Sequence, residues 1–281
     1  MTESMVHSVM KTFQLEYTLK ITLDHEIHHH YFSFRCLPKT EACQELIFTK
    51  IRLNADYFSY SQDCFGNHFL YGYKEEPSHM LDVYVKSQIR TDYCSYDFNN
   101  HLNSVFCRPT EKTAVRENLY LFYEECASAC ISLPNNYEKA LRIMKLLYRR
   151  MKYEKGVTTI RTAADDAFGL HCGVCQDYAQ IMIAILRSMR IPARYVAGAV
   201  KNLNLTHAWV EVFSEDRWYG LDPTNDILVN DDYIIFSRGR DYRDCLVNKG
   251  IFYSSVPVQQ KQDVLVQIQE MKNSIRMPAE R

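Results

Sequence analysis

The hydrophobic period of this chain changes once, near residue 100, and that change limits the folds open to it. From residue 12 to about 90, apolar side chains alternate with polar ones in runs at 13–23, 31–35, 46–53 and 80–85, separated by Asp, Asn, Gly and Pro. Alternation sends one face of each run into a core and the other toward water, as in antiparallel sheet. Beyond a Ser/Asn-rich crossing at 95–104 the spacing becomes three and four, through 117–132 and 137–153, where Leu141, Met144, Leu146, Leu147 and Met151 make an amphipathic stripe. Asn135 or Asn136 is placed to cap the second helix and Gly156 to stop it. The expectation is an α+β chain with an antiparallel β-sandwich in residues 1–100 and a second domain in residues 101–281, where a helix packs on antiparallel sheet.

Composition excludes several classes. The 281 residues are 47% apolar and 13% aromatic, enough for packed cores, and 33 basic against 34 acidic residues leave a formal charge of −1. No global field points to nucleic acid or to a membrane surface. No apolar run is long enough to span a bilayer and no secretory signal is evident, so the cytoplasm is the expected compartment. The ten cysteines then read as reduced thiols, several of them core packing. Cys172 and Cys175 form a C-x-x-C pair, but a redox or zinc reading needs a thioredoxin-like context or a second ligand pair, and neither is present. His28, His29 and His30 alternate faces on a strand, so they read as a solvated edge or hairpin tip.

The chemistry concentrates in three later segments, Gly173-Val174-Cys175-Gln176-Asp177-Tyr178-Ala179, Thr206-His207-Ala208-Trp209-Val210 and Leu221-Asp222-Pro223-Thr224. A thiol attacks a carbonyl as thiolate, which needs an imidazole to take its proton and a third group to hold the imidazole in the right tautomer. Tyr178, Ala179, Met182, Ile183, Leu186 and Met189 recur at helical steps after Cys175, placing the thiol in the first turn of a buried helix. Free N–H groups and the positive dipole end there favour thiolate and can donate to an oxyanion. His207 and Asp222 read as members of one hairpin, with strands at 208–213 and 217–221 around Ser214-Glu215-Asp216. A loop of two or four residues puts both side chains on one face; three would separate them unless a bulge intervened.

Together with Arg187, Ile191-Pro192-Ala193-Arg194-Tyr195-Val196-Ala197-Gly198, Glu211-Val212, Trp218 and Gly239-Arg240-Asp241-Tyr242-Arg243-Asp244, these segments resemble the bacterial and archaeal two-domain branch of the transglutaminase-like superfamily. Tyr153, Gly156, Thr158 and Thr162 resemble the lead-in to its cysteine, and Leu37-Pro38, Asp63, Phe65-Gly66-Asn67 and Val85 its N-terminal β-sandwich. The resemblance implies a papain-like, transglutaminase-like cysteine-protease core, with Cys175 as nucleophile, His207 as general base and acid, and Asp222 as the orienting carboxylate. Departures are Gln180 where relatives carry histidine, Ala199 where tyrosine is common, Cys245-Leu246-Val247 in place of a proline-rich stretch, and a short 201–206 segment where relatives often border the substrate.

The reading is a cysteine-dependent acyl-transfer enzyme acting on peptide or carboxamide bonds through a thioester, hydrolytic as protease, peptidase or amidase. The alternatives are a cross-linking transglutaminase with an amine acceptor, or a binding protein that keeps the fold without the chemistry. Trp209, Gly173 and Trp218 are candidate substrate-binding residues, though aromatic core packing competes for both tryptophans. Asp177 and Arg194 are a candidate supporting ion pair. The expected partner is a peptide or protein substrate, with no nucleic acid, membrane, metal or organic cofactor; oligomeric state is not legible.

Overall fold

The alternating region forms five antiparallel strands, β1 (Lys11–Phe34), β2 (Gln44–Leu53), β3 (Tyr57–Gln62), β4 (His68–Lys74) and β5 (Ser78–Thr91). They are seen in a computed structural model that describes residues 10–93 and 104–271. The runs at 13–23 and 31–35 belong to one long strand. Its register with β5 shifts between Thr22 and Ile27, and His29 takes a positive φ of 51°. Before the bend β1 pairs with β5, which carries β2; after it β1 pairs with β4, which carries β3. Alternate side chains Phe13, Leu15, Tyr17 and Leu19 are wholly buried and share one core with Phe32, Phe34 and Leu70 from beyond the bend. The two halves thus make the leaves of the expected sandwich. The bend also separates the histidines: His29 is exposed beside Glu75, whereas His30 is buried against Phe32 and Phe252 rather than solvated.

The crossing expected at 95–104 lies, but for its last residue, outside the described residues. Two 3₁₀ turns, Ser104–Cys107 and Glu111–Thr113, lead to α1 (Glu117–Ala129) and α2 (Asn136–Arg150). Asn135 caps α2 by accepting the Glu138 N–H at 2.9 Å. The helix ends well before Gly156, because Met151 turns extended and β6 (Lys152–Tyr153) pairs in parallel with β7 (Cys172–Gly173). Between them lies α3 (Ala164–Gly169), and β7 runs directly into α4 (Cys175–Ser188). Every residue of α4 from Asp177 to Arg187 is buried, so it is the central helix of the domain. It packs on the sheet formed by β8 (Ala193–Val200), β9 (Thr206–Ser214), β10 (Arg217–Asp222), β11 (Ile227–Leu228) and β12 (Tyr233–Gly239), in the order β11-β10-β9-β8-β12. No helix among the described residues is long and apolar enough to cross a membrane.

The last strands return to the start of the chain. β13 (Asn248–Tyr253) pairs with the second half of β1 and β14 (Gln260–Met271) with the first. Residues 248–271, grouped with the second domain on sequence, therefore hydrogen-bond within the N-terminal sheets. The physical reason is that β1 is central in both leaves and has two edges to satisfy along its length.

The two domains also share a layer. Ile234 and Phe236 of β12 enter the sandwich core, with Phe236 edge-on to Tyr17 at 6.2 Å. Among the described residues no sixth strand follows β12, and two side-chain amides pair with its edge. Gln44 donates to the Ile235 carbonyl at 2.9 Å and accepts the Ile235 N–H at 2.8 Å. Asn67 makes the same pair of bonds to Arg238, at 2.7 and 2.8 Å. An amide carries donor and acceptor side by side, as a backbone unit does, so each closes part of the open ladder.

Candidate active site

The turn entering α4 is shaped around Cys175. Asp177 folds back so that Oδ2 accepts the Val174 N–H at 2.8 Å and the Thr158 hydroxyl at 2.6 Å, a carboxylate closing the first turn of the helix. Burial raises its pKa against the effect of those two donors. This geometry explains Gly173, where a Cβ would stand 2.6 Å from the same carboxylate oxygen. Cys175 is the first residue of the helix and half-buried, and its side chain lines an open cleft.

His207 and Asp222 reach the site from adjacent strands. The β9–β10 turn has two residues, Glu215 and Asp216, both at positive φ, with Ser214 paired directly to Arg217. That even loop is the one the sequence argument required. Ala208, Val210 and Val212 point to the α4 core, whereas His207, Trp209 and Glu211 occupy the other face. His207 Nε2 donates to Asp222 Oδ2 at 2.7 Å, with both side chains buried. Nδ1 is then the nitrogen not engaged by Asp222, and Cys175 lines the same cleft as the ring. Burial pushes the imidazole pKa down, but the Asp222 bond and the neighbouring Cys175 outweigh it and raise it to about 10. Burial likewise works against the charged Asp222, and the His207 bond and charge together with Asn225 and Tyr233 hold its pKa below the usual carboxylate range.

Asp222 is more heavily solvated by protein than its sequence context indicates. Oδ2 also receives Asn225 Nδ2 at 2.7 Å and the Tyr233 hydroxyl at 2.8 Å, and Oδ1 receives the Thr224 N–H at 3.0 Å. Neither Asn225 nor Tyr233 is evident as a site residue from sequence. Asn225 lies in the turn after Asp-Pro, where an Asx-type contact could be guessed; Tyr233 arrives from β12 and has no local signal.

The cleft has a volume of about 670 Å³, and Tyr148, Lys155, Tyr178, Leu203, Leu205 and His207 are among the residues that line it. The short 201–206 segment thus does border it. Trp209, Gly173 and Trp218 do not line it. Trp209 and Trp218 are wholly buried, the first against Tyr233 at 5.3 Å, the second beneath Arg194, whose guanidinium carbon lies 4.0 Å from its ring centre. The packing alternative is the one realised for both: Trp209 packs with Cys43 and Tyr93 of the N-terminal domain, and Trp218 against Phe106 and Phe213. Gly198 reports the same crowding: a Cβ there would fall 2.5 Å from the Trp209 ring. Asp177 and Arg194 do not pair with each other. Arg194 lies opposite Glu211 in the β8–β9 register and pairs with it, while Asp177 is committed to the helix turn. Glu211 also receives Arg238 at 2.7 Å, and Arg238 continues to Glu41 of the sandwich. Gln180 is buried within α4 and does not line the cleft. Cys172 carries a free thiol, and among the described residues no three His, Cys, Asp or Glu side chains group as metal ligands.

Residues 127–223 match the Transglutaminase-like superfamily. An uncharacterized protein of Mycobacterium tuberculosis is 38% identical over 125 residues, covering 39% of this chain and 40% of that protein. One from Mycobacterium leprae is 37% identical over 113 residues, covering 37% and 40%. The matched stretch therefore spans about 40% of the length of these curated relatives. The crystal structure of a candidate cysteine protease from Cytophaga hutchinsonii superposes with a TM-score of 0.78 at 19% identity, over 94% of this chain and 92% of that one. At that identity the likeness is one of fold.

Proposed function

We propose that this chain, a transglutaminase-like superfamily member by its residues 127–223, uses Cys175 as the nucleophile of a thiol hydrolase. The family is one of cysteine-dependent enzymes. The observation that carries the assignment is the buried Asp222–His207 bond of 2.7 Å on a ring that lines the same cleft as the Cys175 thiol at a helix start.

In this scheme Nδ1 of His207 takes the Cys175 proton, and Sγ attacks the carbonyl carbon of a peptide or carboxamide. The carbonyl electron pair moves onto oxygen, where the first-turn N–H groups of α4 stabilise it. As the intermediate collapses, the C–N bond breaks and the imidazolium gives its proton to the departing amine. His207 then deprotonates a water that attacks the thioester, releasing a carboxylic acid and restoring the thiol. Hydrolysis is favoured over amine transfer because Lys152, Tyr153 and Lys155 along the cleft are exposed, so water reaches the thioester.

The test is turnover of a quenched-fluorescent peptide library with and without a primary amine. Cys175→Ser should lower turnover by roughly a thousandfold or more with the fold retained, and Cys172→Ala should cost far less. Products carrying the amine in place of a carboxylic acid would instead support transamidation. Equal loss in both cysteine variants would contradict a single nucleophile.

A further inference from the structure

The cleft beside Cys175 is chemically lopsided. It presents two lysines, Lys152 and Lys155, and no aspartate or glutamate. Lys152 has a loose surface partner in Glu154 at 3.3 Å, and Lys155 makes no ion pair among the described residues. The rest of the lining is largely apolar or aromatic, with Tyr148, Met151, Tyr178, Leu203 and Leu205. The whole chain has a formal charge of only −1, so this positive patch is local.

Direction along the cleft follows from which chamber touches which reacting group. The 670 Å³ chamber contains both Cys175 and His207, whereas an adjoining recess of about 240 Å³ touches His207 but not Cys175. The acyl group stays bonded to Sγ after the C–N bond breaks, so it occupies the chamber containing sulfur. The departing amine takes its proton from His207, which borders both chambers, and the recess is the one not occupied by the acyl group. The lysines therefore face the acyl portion of the substrate.

We propose that the acyl donor is acidic: a peptide whose segment on the acyl side of the scissile bond carries an Asp or Glu carboxylate, held by Lys155 with Lys152 while its apolar part lies against the apolar lining, Tyr148 and Leu203 among it. The backbone on the acyl side of a peptide bond runs toward an amino terminus, so the carboxylate has to come from a side chain. Lysine acts here as a mobile point charge, which suits recognition of charge without a fixed bidentate geometry. This specificity rests on Cys175 being the acyl acceptor, and the experiment separates the two ideas.

Three 4-nitrophenyl esters, identical except that the far end of the acyl chain bears a carboxylate, a methyl ester or a trimethylammonium group, are mixed with the full chain, and the nitrophenolate burst reports acylation. In each case the Sγ–C bond forms and the C–O bond to nitrophenolate breaks. The carboxylate probe should acylate roughly three- to tenfold faster than the trimethylammonium probe at low salt, the size expected of partly exposed charge pairs. In about 1 M salt the ratio should fall toward one. Lys152→Glu combined with Lys155→Glu should invert it, and because the ratio is taken within one preparation it is insensitive to the fraction folded. A Cys175-dependent burst of equal rate for all three probes overturns the acidic-donor proposal and leaves the thiol assignment standing. No Cys175-dependent burst with any probe overturns both.

Discussion

At the scale of single residues, the centre of the site is a crowded carboxylate. Asp222 Oδ2 receives three donors, from His207, Asn225 and Tyr233. Removing one leaves a buried charge short of a partner and strengthens its hold on the others. Tyr233→Phe should therefore cost about 1–3 kcal/mol of stability by urea titration, as expected for a buried bond to a charged group. It should also move the alkaline limb of the pH–rate profile upward, since Asp222 then binds the imidazolium more tightly. The pH dependence of stability has a defined sign. His207, raised to about 10, contributes fully below its unfolded pKa near 6.5 and loses that contribution as pH climbs through about 10. Asp222, lowered, contributes above its unfolded pKa near 3.9 and loses the contribution as pH falls through its depressed folded value. The stability gap between wild type and Asp222→Asn, followed by melting at several pH values, should be widest between about pH 4 and 6.5 and should narrow toward pH 10. Cys175, His207 and Asp222 were legible because each sits in an ordered local motif. Tyr233 was not, because its role depends on β12 folding across β8 to reach Asp222.

At the scale of elements, the β9–β10 hairpin is the part most tightly bound to the chemistry. Its two-residue turn sets the parity that keeps His207 and Asp222 on one face. Inserting one glycine between Glu215 and Asp216 should make a three-residue loop, move one of the pair to the opposite face, and remove activity while circular dichroism still reports a folded chain. Replacing Glu215-Asp216 by Asn-Gly supplies residues that accept positive φ at lower cost, and should raise the melting temperature with activity kept. Sequence anticipated the helix bearing Cys175 and this hairpin, since their periodicity is local. It did not anticipate where α2 stops, because the chain is drawn out of helix at Met151 by pairing with β7, a contact between residues distant in sequence. Nor did it assign the tryptophans firmly, since an indole in a cleft wall and one under a neighbouring domain have the same local pattern.

At the scale of the whole molecule, the sandwich completes the sheet that carries His207 and Asp222. Gln44 and Asn67 close the open edge of β12, and β12 carries Tyr233 to Asp222. Gln44→Ala and Asn67→Ala should each cost about 1–3 kcal/mol, because each leaves a buried backbone N–H and carbonyl without partners. Their effects on turnover should exceed that of a surface change of equal destabilisation, read as activity per folded molecule after urea calibration. The return of β13 and β14 to β1 was hidden from sequence for the same reason as Tyr233. Val264, Val266 and Ile268 alternate as a strand should, but alternation does not identify a partner more than two hundred residues away.

The central claim is that one cysteine is activated by one histidine. It is tested most directly by limiting iodoacetamide at about pH 5.5, where ordinary thiols are almost wholly protonated, followed by mass mapping of every cysteine. The account predicts fast alkylation at Cys175 alone in the wild-type chain, reduced to the rate of the other cysteines in His207→Asn. Uniform slow labelling, or selective labelling of Cys175 that persists unchanged in His207→Asn, would contradict it.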